Sequence, residues 1–444
     1  GDGYIVARLM AECGADVSVY SLARPKPGTD AEKAASLWSG DVLSFDDFLP
    51  QSNQGLLIDA VFGSGFRGVL PDTVANALAR ANACGMKKIA VDVPSGLHGD
   101  TGLSELGISY DATVTFFRKK PGHISGQGPS VVGQLTVADI GVRADFTGTH
   151  APMIFENTPS LWGNHRPERN RDTHKYRQGH VAVFSGPKYK TGAARLSALA
   201  AARSGAGAVT ILGSDAALDI HANHVSSIML KQCSRGGANG ALVALNKLRA
   251  VVLGPGFDDY EEARSITNIC LSPEQKLNLS LVLDADGITA FADLSEELFA
   301  LSRQKLAPML VLTPHEGEFA RIFPDIAGDQ TLGKLQKAQA AAERSNAIIV
   351  FKGADTIIAA PASSGNGLAA INTNGSTALA TAGSGDVLAG IIAGLMAQNM
   401  APFYAACAAV WMHGEAGKYA GPICIAEDLV DALRYIEVDR VTNL

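Results

Sequence analysis

The chain has 444 residues, more than one hydrophobic core usually serves, so two or three domains are expected and two is the working number. Its 37 basic against 44 acidic residues give a formal charge of −7 without a long lysine or arginine block, which argues against a nucleic-acid partner. Apolar runs stay below the ~18 residues that cross a bilayer, and the six cysteines form neither CxxC pairs nor a His/Cys cluster, so the expectation is a cytoplasmic α/β enzyme with no zinc site and no membrane partner.

Residues 4–14 carry helical apolar spacing, and residues 16–22 (DVSVYSL) alternate as a strand does. An apolar stretch at 56–62, a helical run at 73–84 and a strand at 88–93 continue the rhythm, predicting a parallel sheet with covering helices. Three segments stand out: GDGY at 1–4, DAVFGSGFRGVL at 59–70 and AVDVPSGLHGDTG at 90–102. Two of them follow apolar strands directly, at the edge of a parallel sheet where ligands bind. A glycine-rich GSGFRG loop can approach a phosphate through its backbone N–H groups. Asp92 is open to two readings, a proton-transfer carboxylate or a strand-end residue bonding the turn before Pro94.

Together these segments resemble the NAD(P)H-hydrate epimerase family, whose fold is Rossmann-like. The resemblance implies a potassium site at Asp59 and Ser95. It implies substrate binding by Gly1 and Asp2, and substrate phosphates on Gly63, Ser64, Gly65, Phe66, Arg67, Gly68 and Val69. Asp92 would bind and act on the substrate near the reacting carbon, interconverting the R and S hydrates. Relatives continue upstream of GDGY with an NNGGDG-like run after a helix and a strand. The first domain is therefore expected to be incomplete at its start, lacking a potassium-ligating asparagine and part of its sheet, with its epimerase activity in doubt for that reason.

Between about residues 140 and 179 the periodicity lapses into polar sequence, and the boundary is placed near Asn157, giving domains 1–157 and 158–444. A second α/β series follows: HVAVFSG, an alanine-rich helix at 192–205, and apolar strands at 208–212, 250–253, 279–283, 309–312 and 347–351. Helix and strand are expected to alternate to the end. The apolar run 387–397 reads as a buried helix.

In NTNGSTALATAGSGDVLAGIIAGLMAQ, at 372–398, Gly383-Ser384-Gly385-Asp386 opens that helix, so free N–H groups and the positive helix end converge on any anion present. Asp386 could cap the helix or accept a proton from a hydroxyl being phosphorylated. LGPGF at 253–257, LDADGI at 283–288, TPHEGEFARIF at 313–323 and KGADTII at 352–358 each fall at the end of an apolar strand. Asp284 and Asp286 are either site residues or plain turn residues. Glu316 and Glu318 either hold Mg²⁺ through water or form a solvated helix start, and the second is expected for Glu318.

With GSGD, these segments resemble the ribokinase-like fold, and within it the NAD(P)H-hydrate dehydratase family, over roughly residues 162–444. The resemblance implies an adenine-nucleotide site at Lys352, Gly353, Ala354, Asp355 and Thr356, with Gly385 as its anion hole. Ala193 of KTGAARL, Gly256 and His315 would hold the hydrated nicotinamide nucleotide, NADHX or NADPHX, and Asp386 would act on its C6 hydroxyl. ADP is the implied phosphoryl donor, with ATP also possible, together with Mg²⁺, and a homo-oligomer is implied as well. Gly375-Ser376-Thr377 departs from the Asn-Pro-Gly type of sequence that relatives carry there. Two other functions fit the residues: a ribokinase-like kinase of a small alcohol such as a vitamin precursor, and a nucleotide-binding protein with an inactive first domain.

Overall fold

The computed structural model describes residues 1–50, 54–143, 153–167, 178–275, 277–305, 307, 309–364 and 367–436. The chain forms two compact units, Gly1–Ala151 and Pro152–Leu444. Much of the polar stretch that suggested a boundary, residues 144–152 and 168–177, lies outside the described residues.

In the first unit β1 (Val19–Tyr20) pairs with β2 (Val42–Leu43), while β3 (Leu56–Asp59), β4 (Lys87–Val91), β5 (Ala112–Phe116) and β6 (Gln134–Ala138) form a separate parallel sheet in that order. The predicted strand at 16–22 is thus reduced to two residues outside the main sheet. The helix Asp72–Ala83 covers the sheet because Val74, Ala77, Leu78 and Ala81 line one face at helical spacing and are all buried. Two apolar clusters, one around Phe66, Leu70, Val74 and Leu78 and one around Ala90, Val93, Leu97 and Tyr110, make its core.

The strands of the second unit are β7 (Ile154–Glu156), β8 (His180–Phe184), β9 (Ala208–Gly213), β10 (Met229–Gln232), β11 (Leu248–Leu253), β12 (Ser280–Leu283), β13 (Leu310–Leu312), β14 (Ile348–Phe351), β15 (Ile357–Ala359) and β16 (Ala369–Ile371). They form one sheet in the order β10-β9-β8-β11-β12-β13-β14-β15-β16-β7. From β10 to β14 every pairing is parallel, and β8, β12, β13 and β14 are buried along their whole length, as continuous apolar runs require when helices cover both faces. The alternation of helix and strand then stops. β15 and β16 pair antiparallel because only residues 352–356 join β14 to β15, too few for a helical crossover. β7 pairs with β16, so the second unit begins at Pro152, a few residues before the boundary expected at 158.

The apolar helix Ser384–Ala397 is buried from Val387 to Ala397, as its composition predicts. It lies so close to the helix Thr191–Arg203 that a Cβ on Gly390 would stand 2.2 Å from the Ser197 carbonyl oxygen and one on Gly394 would stand 2.1 Å from Ser204 Oγ. Two glycines four residues apart therefore set the distance between the helix that carries Asp386 and the one that carries Ala193. Among the described residues no helix is long and apolar enough to cross a membrane.

Candidate functional sites

The second unit brings Asp284, Glu318, Lys352, Gly385 and Asp386 to one place at the carboxyl edge of its sheet. Asp284 follows β12 and is buried. Its Oδ1 accepts from Thr313 Oγ1 at 2.7 Å and pairs with Lys352 Nζ at 2.7 Å. Lys352 follows β14, two strands away, and reaches Glu318 Oε2 at 3.8 Å as well. Gly385 sits directly against this pair, since a Cβ there would stand 3.3 Å from Lys352 Nζ and 3.5 Å from Asp284 Oδ2.

Gly383, with φ +87, turns the chain into the helix, and Asp386 occupies its first turn. Ser197 Oγ donates to the Asp386 carbonyl oxygen at 2.8 Å, and Ser384 Oγ stands 3.1 Å from Nε2 of the buried His413. Burial, reinforced by the Asp284 charge and only partly offset by Lys352, pushes the Asp386 carboxyl up to about 7. Burial would lower the Lys352 ammonium, but Asp284 and Glu318 outweigh it and hold it above its ordinary value.

Glu318 corrects an expectation. It is buried rather than solvated, because its Oε2 accepts from the His315 backbone N–H at 2.8 Å while His315 Nδ1 accepts from the N–H groups of Gly317 and Glu318 at 3.0 and 3.2 Å. The two side chains form a reciprocal cap on the helix Glu316–Ile322. Burial pushes the Glu318 carboxyl up, against the pull of Lys352. His315 keeps more than half of its side chain exposed beside this cap.

The other predicted segments fall around the cluster. Gly256, with φ +60, lies against Ala193, 3.4 Å from the position of a Cβ. Asp286 opens the short helix Asp286–Thr289, and its Oδ2 accepts from the Asp258 N–H at 3.1 Å. The Lys352–Thr356 segment is the β14–β15 hairpin turn. Thr356 Oγ1 accepts from the Gly353 N–H at 3.2 Å and donates to the Gly353 carbonyl at 2.8 Å, and Asp355 pairs with Lys334 at 2.6 Å. Gly375, in the loop whose sequence departs from relatives, lies against Ala354, with a Cβ position 3.0 Å from its carbonyl oxygen.

In the first unit Asp59 ends β3 buried at 2% exposure, and its carboxylate accepts from Ser95 N (2.8 Å), Ser95 Oγ (2.7 Å), Tyr110 OH (2.6 Å) and Val61 N (3.3 Å). Asp92, at φ +68, holds a backbone conformation that costs a non-glycine residue free energy. Its carboxylate accepts from Ser64 N at 2.8 Å, Thr115 Oγ1 at 2.9 Å and Lys120 Nζ at 2.5 Å. Burial would raise this carboxyl, but the Lys120, Ser64 and Thr115 hydrogen bonds prevail and hold it below its ordinary value.

Gly63 stands next to Asp92, with a Cβ position 3.0 Å from Oδ2, so the GSGFRG loop and Asp92 share one site. Within the loop Phe66 is buried, Gly65 and Gly68 border open space, Val69 is exposed, and Arg67 pairs with Asp100 at 2.5 Å. Gly1 and Asp2 begin the helix Asp2–Glu12, whose Gly3 packs on Ala60, one residue from Asp59. Sequence reasoning missed Lys120, Thr115 and Tyr110. The run FRKKPG directly after an apolar strand was the available signal for Lys120.

Residues 181–426 match the family described as NAD(P)H-hydrate dehydratase, and residues 1–122 match that described as YjeF-related protein N-terminus. The chain is 34% identical to a bifunctional NAD(P)H-hydrate repair enzyme of Moorella thermoacetica, over 98% of this chain and 85% of the relative. It is 29% identical to that of Escherichia coli, over 100% and 84%. Among solved structures, the second unit is similar to an ADP/ATP-dependent NAD(P)H-hydrate dehydratase of Bacillus subtilis co-crystallized with ATP/Mg²⁺, with TM-score 0.52 and 26% identity, covering 66% of this chain and 99% of that one. A ribokinase-like superfamily protein of Enterococcus faecalis aligns with TM-score 0.55 and 25% identity, covering 64% and 96%. With matches of this kind spanning both units, the chain belongs to the family of bifunctional NAD(P)H-hydrate repair enzymes.

Proposed function

We propose that the second unit dehydrates the S hydrates of NADH and NADPH using an adenine nucleotide, and that the first unit interconverts the R and S hydrates. The observation that carries the dehydratase reading is Asp386, in the first turn of a helix whose N-terminal end suits an anion, with its proton affinity raised into the neutral range. The C6 hydroxyl attacks the terminal phosphoryl group of the nucleotide and gives its proton to Asp386, and the shortened nucleotide leaves. The C6–O bond then breaks, phosphate departs with the electron pair, and loss of the C5 proton restores the dihydronicotinamide.

Here the Gly385 N–H and Lys352 hold phosphoryl oxygens, and the KGADT hairpin holds the nucleotide. Ala193, Gly256 and His315 orient the substrate. ADP is the preferred donor reading, and the similarity to the Bacillus subtilis enzyme supports both ADP and ATP. Among the described residues no group of three His, Cys, Asp or Glu side chains is arranged to hold a metal ion, so the Mg²⁺ expected here fits as a companion of the nucleotide phosphates. When bound it would lower the charge on those phosphates.

In the first unit an ionised Asp92 moves the proton that opens and recloses the C6 centre, and the GSGFRG loop binds the substrate phosphates. Asp59 is a buried carboxylate whose donors among the described residues are neutral, and K⁺ beside it and Ser95 Oγ fits that charge. The test is recovery of dihydronicotinamide absorbance from a mixture of R and S hydrates with ADP, ATP or no nucleotide. Nucleotide-dependent recovery of the whole mixture is expected. Recovery without nucleotide, or none with either, overturns the dehydratase reading, and arrest at the S half overturns the epimerase reading.

A further inference from the structure

On the same carboxyl edge of the sheet as the Asp386 cluster, a cavity of about 320 Å³ opens at the ends of β8, β9, β10 and β11, within the size range of small-ligand sites. Its apolar floor includes Phe184 and Phe257, whose rings meet edge to face at 6.3 Å, and Ile266. Its rim carries Ser234, Arg235 and Glu262. The cavity is continuous with the substrate segment: Gly186 on its wall abuts Gly256, a Cβ position standing 1.8 Å from the Gly256 carbonyl oxygen.

The order of strands fixes a direction. The nucleotide hairpin joins β14 and β15, Gly256 follows β11, Ala193 follows β8, and the cavity lies beyond them toward β9 and β10. A dinucleotide hydrate with its C6 hydroxyl at Asp386 faces the donor on one side. The rest of the molecule therefore runs the other way, over β8 and β9. We propose that this cavity is the subsite for the adenosine half of the dehydratase substrate, and that its rim favours NADHX over NADPHX. The inference rests on the dehydratase reading given above.

The apolar floor suits a purine, and the rim hydroxyl and carboxylate suit a ribose diol. The rim charge is the discriminating feature. Lys190 pairs with Asp258 at 2.8 Å, and Arg235 with Asp259 at 3.0 Å and Glu261 at 2.6 Å. Glu262 accepts from the Gly236 N–H at 2.9 Å. Four carboxylates thus face two cations, and both cations are already paired. A 2′-phosphate placed here meets net negative charge, whereas a 2′-hydroxyl donates to it.

The experiment compares kcat/KM for the S hydrates of NADH, NADPH and reduced nicotinamide mononucleotide, with the full-length wild type, Ser234→Trp and Glu262→Lys. NADHX is expected to be favoured over NADPHX by about tenfold, the scale of one like-charge contact near a surface, and less so at high salt. Glu262→Lys should narrow or reverse that ratio. Ser234→Trp, which fills the cavity mouth, should lower kcat/KM for NADHX relative to the mononucleotide hydrate by about tenfold. Equal kcat/KM for mononucleotide and dinucleotide hydrates in the wild type overturns the subsite. An NADHX to NADPHX ratio that Glu262→Lys leaves unchanged does the same, and this decides the matter even where Ser234→Trp fails to fold. Absence of turnover on every hydrate would sink the dehydratase reading and the subsite with it.

Discussion

Asp386 and Asp92 are both carboxylates at strand or helix ends, yet their surroundings push them in opposite directions. Burial beside Asp284 carries Asp386 to about 7, so its ionised, proton-accepting form grows as pH rises through neutrality. The kcat/KM of dehydration should therefore rise with pH to a plateau with a midpoint near 7, and Asp386→Asn should cost about 10²- to 10⁴-fold while leaving nucleotide binding largely intact. A pH-independent rate in the wild type, or unchanged turnover in the variant, would remove Asp386 from this role. The same shift has a stability consequence. Because the folded value lies above the ordinary 3.8, protonation favours the fold, and the stabilisation is complete below 3.8 and lost as pH rises through about 7. Asp386→Asn should flatten the fall in melting temperature over that window. Asp92 is held ionised by Lys120, so Lys120→Met should raise its proton affinity and slow epimerisation at neutral pH by at least about tenfold. An unaltered epimerisation rate in the variant would show that the pair is only structural. The motifs made Asp386 and Lys352 legible in sequence. Asp284 and Glu318 were legible only as open alternatives, because the Lys352 that joins them arrives from another strand and the burial of Glu318 behind its cap with His315 is not recorded in the local pattern.

At the scale of elements, the contact between the helices Thr191–Arg203 and Ser384–Ala397 holds Asp386 against Ser197. Alanine is a better helix former than glycine by about 1 kcal/mol, so propensity alone would make Gly390→Ala stabilising. Packing decides the other way, since the new Cβ would lie 2.2 Å from the Ser197 carbonyl oxygen and the backbone must shift to receive it. A net loss of about 1–3 kcal/mol is expected, together with reduced dehydration. Denaturant unfolding and kinetics on the same preparation check both, and a variant as stable as the parent would show that the helices can separate freely. The parallel strands were legible because their apolar runs are continuous. The β15–β16 return was not, because the segment joining it to β14 is also the nucleotide motif, and its turn is read as chemistry before it is read as a change of strand direction. β10, with Lys231 and Gln232 on the edge of the sheet, lacks the apolar run that revealed its neighbours.

For the whole molecule, each unit has its own sheet, its own apolar clusters and its own site. Two sites acting on epimers of one molecule need not exchange it directly, because each site's product is also free in solution. Asp92→Asn should clear only the S half of an equimolar hydrate mixture, apart from slow spontaneous epimerisation, and Asp386→Asn should clear neither half while still equilibrating them. Mixing the two variant proteins should then restore clearance of the whole mixture, with a lag set by the epimerase concentration rather than by any contact between units. The lag should shorten in proportion when the Asp386→Asn protein is added in excess. Partial clearance that persists at every ratio of the two variants would show instead that the R hydrate must be handed from one site to the other within a single chain or assembly. The separateness of the two units would then have to be abandoned as the basis of their function.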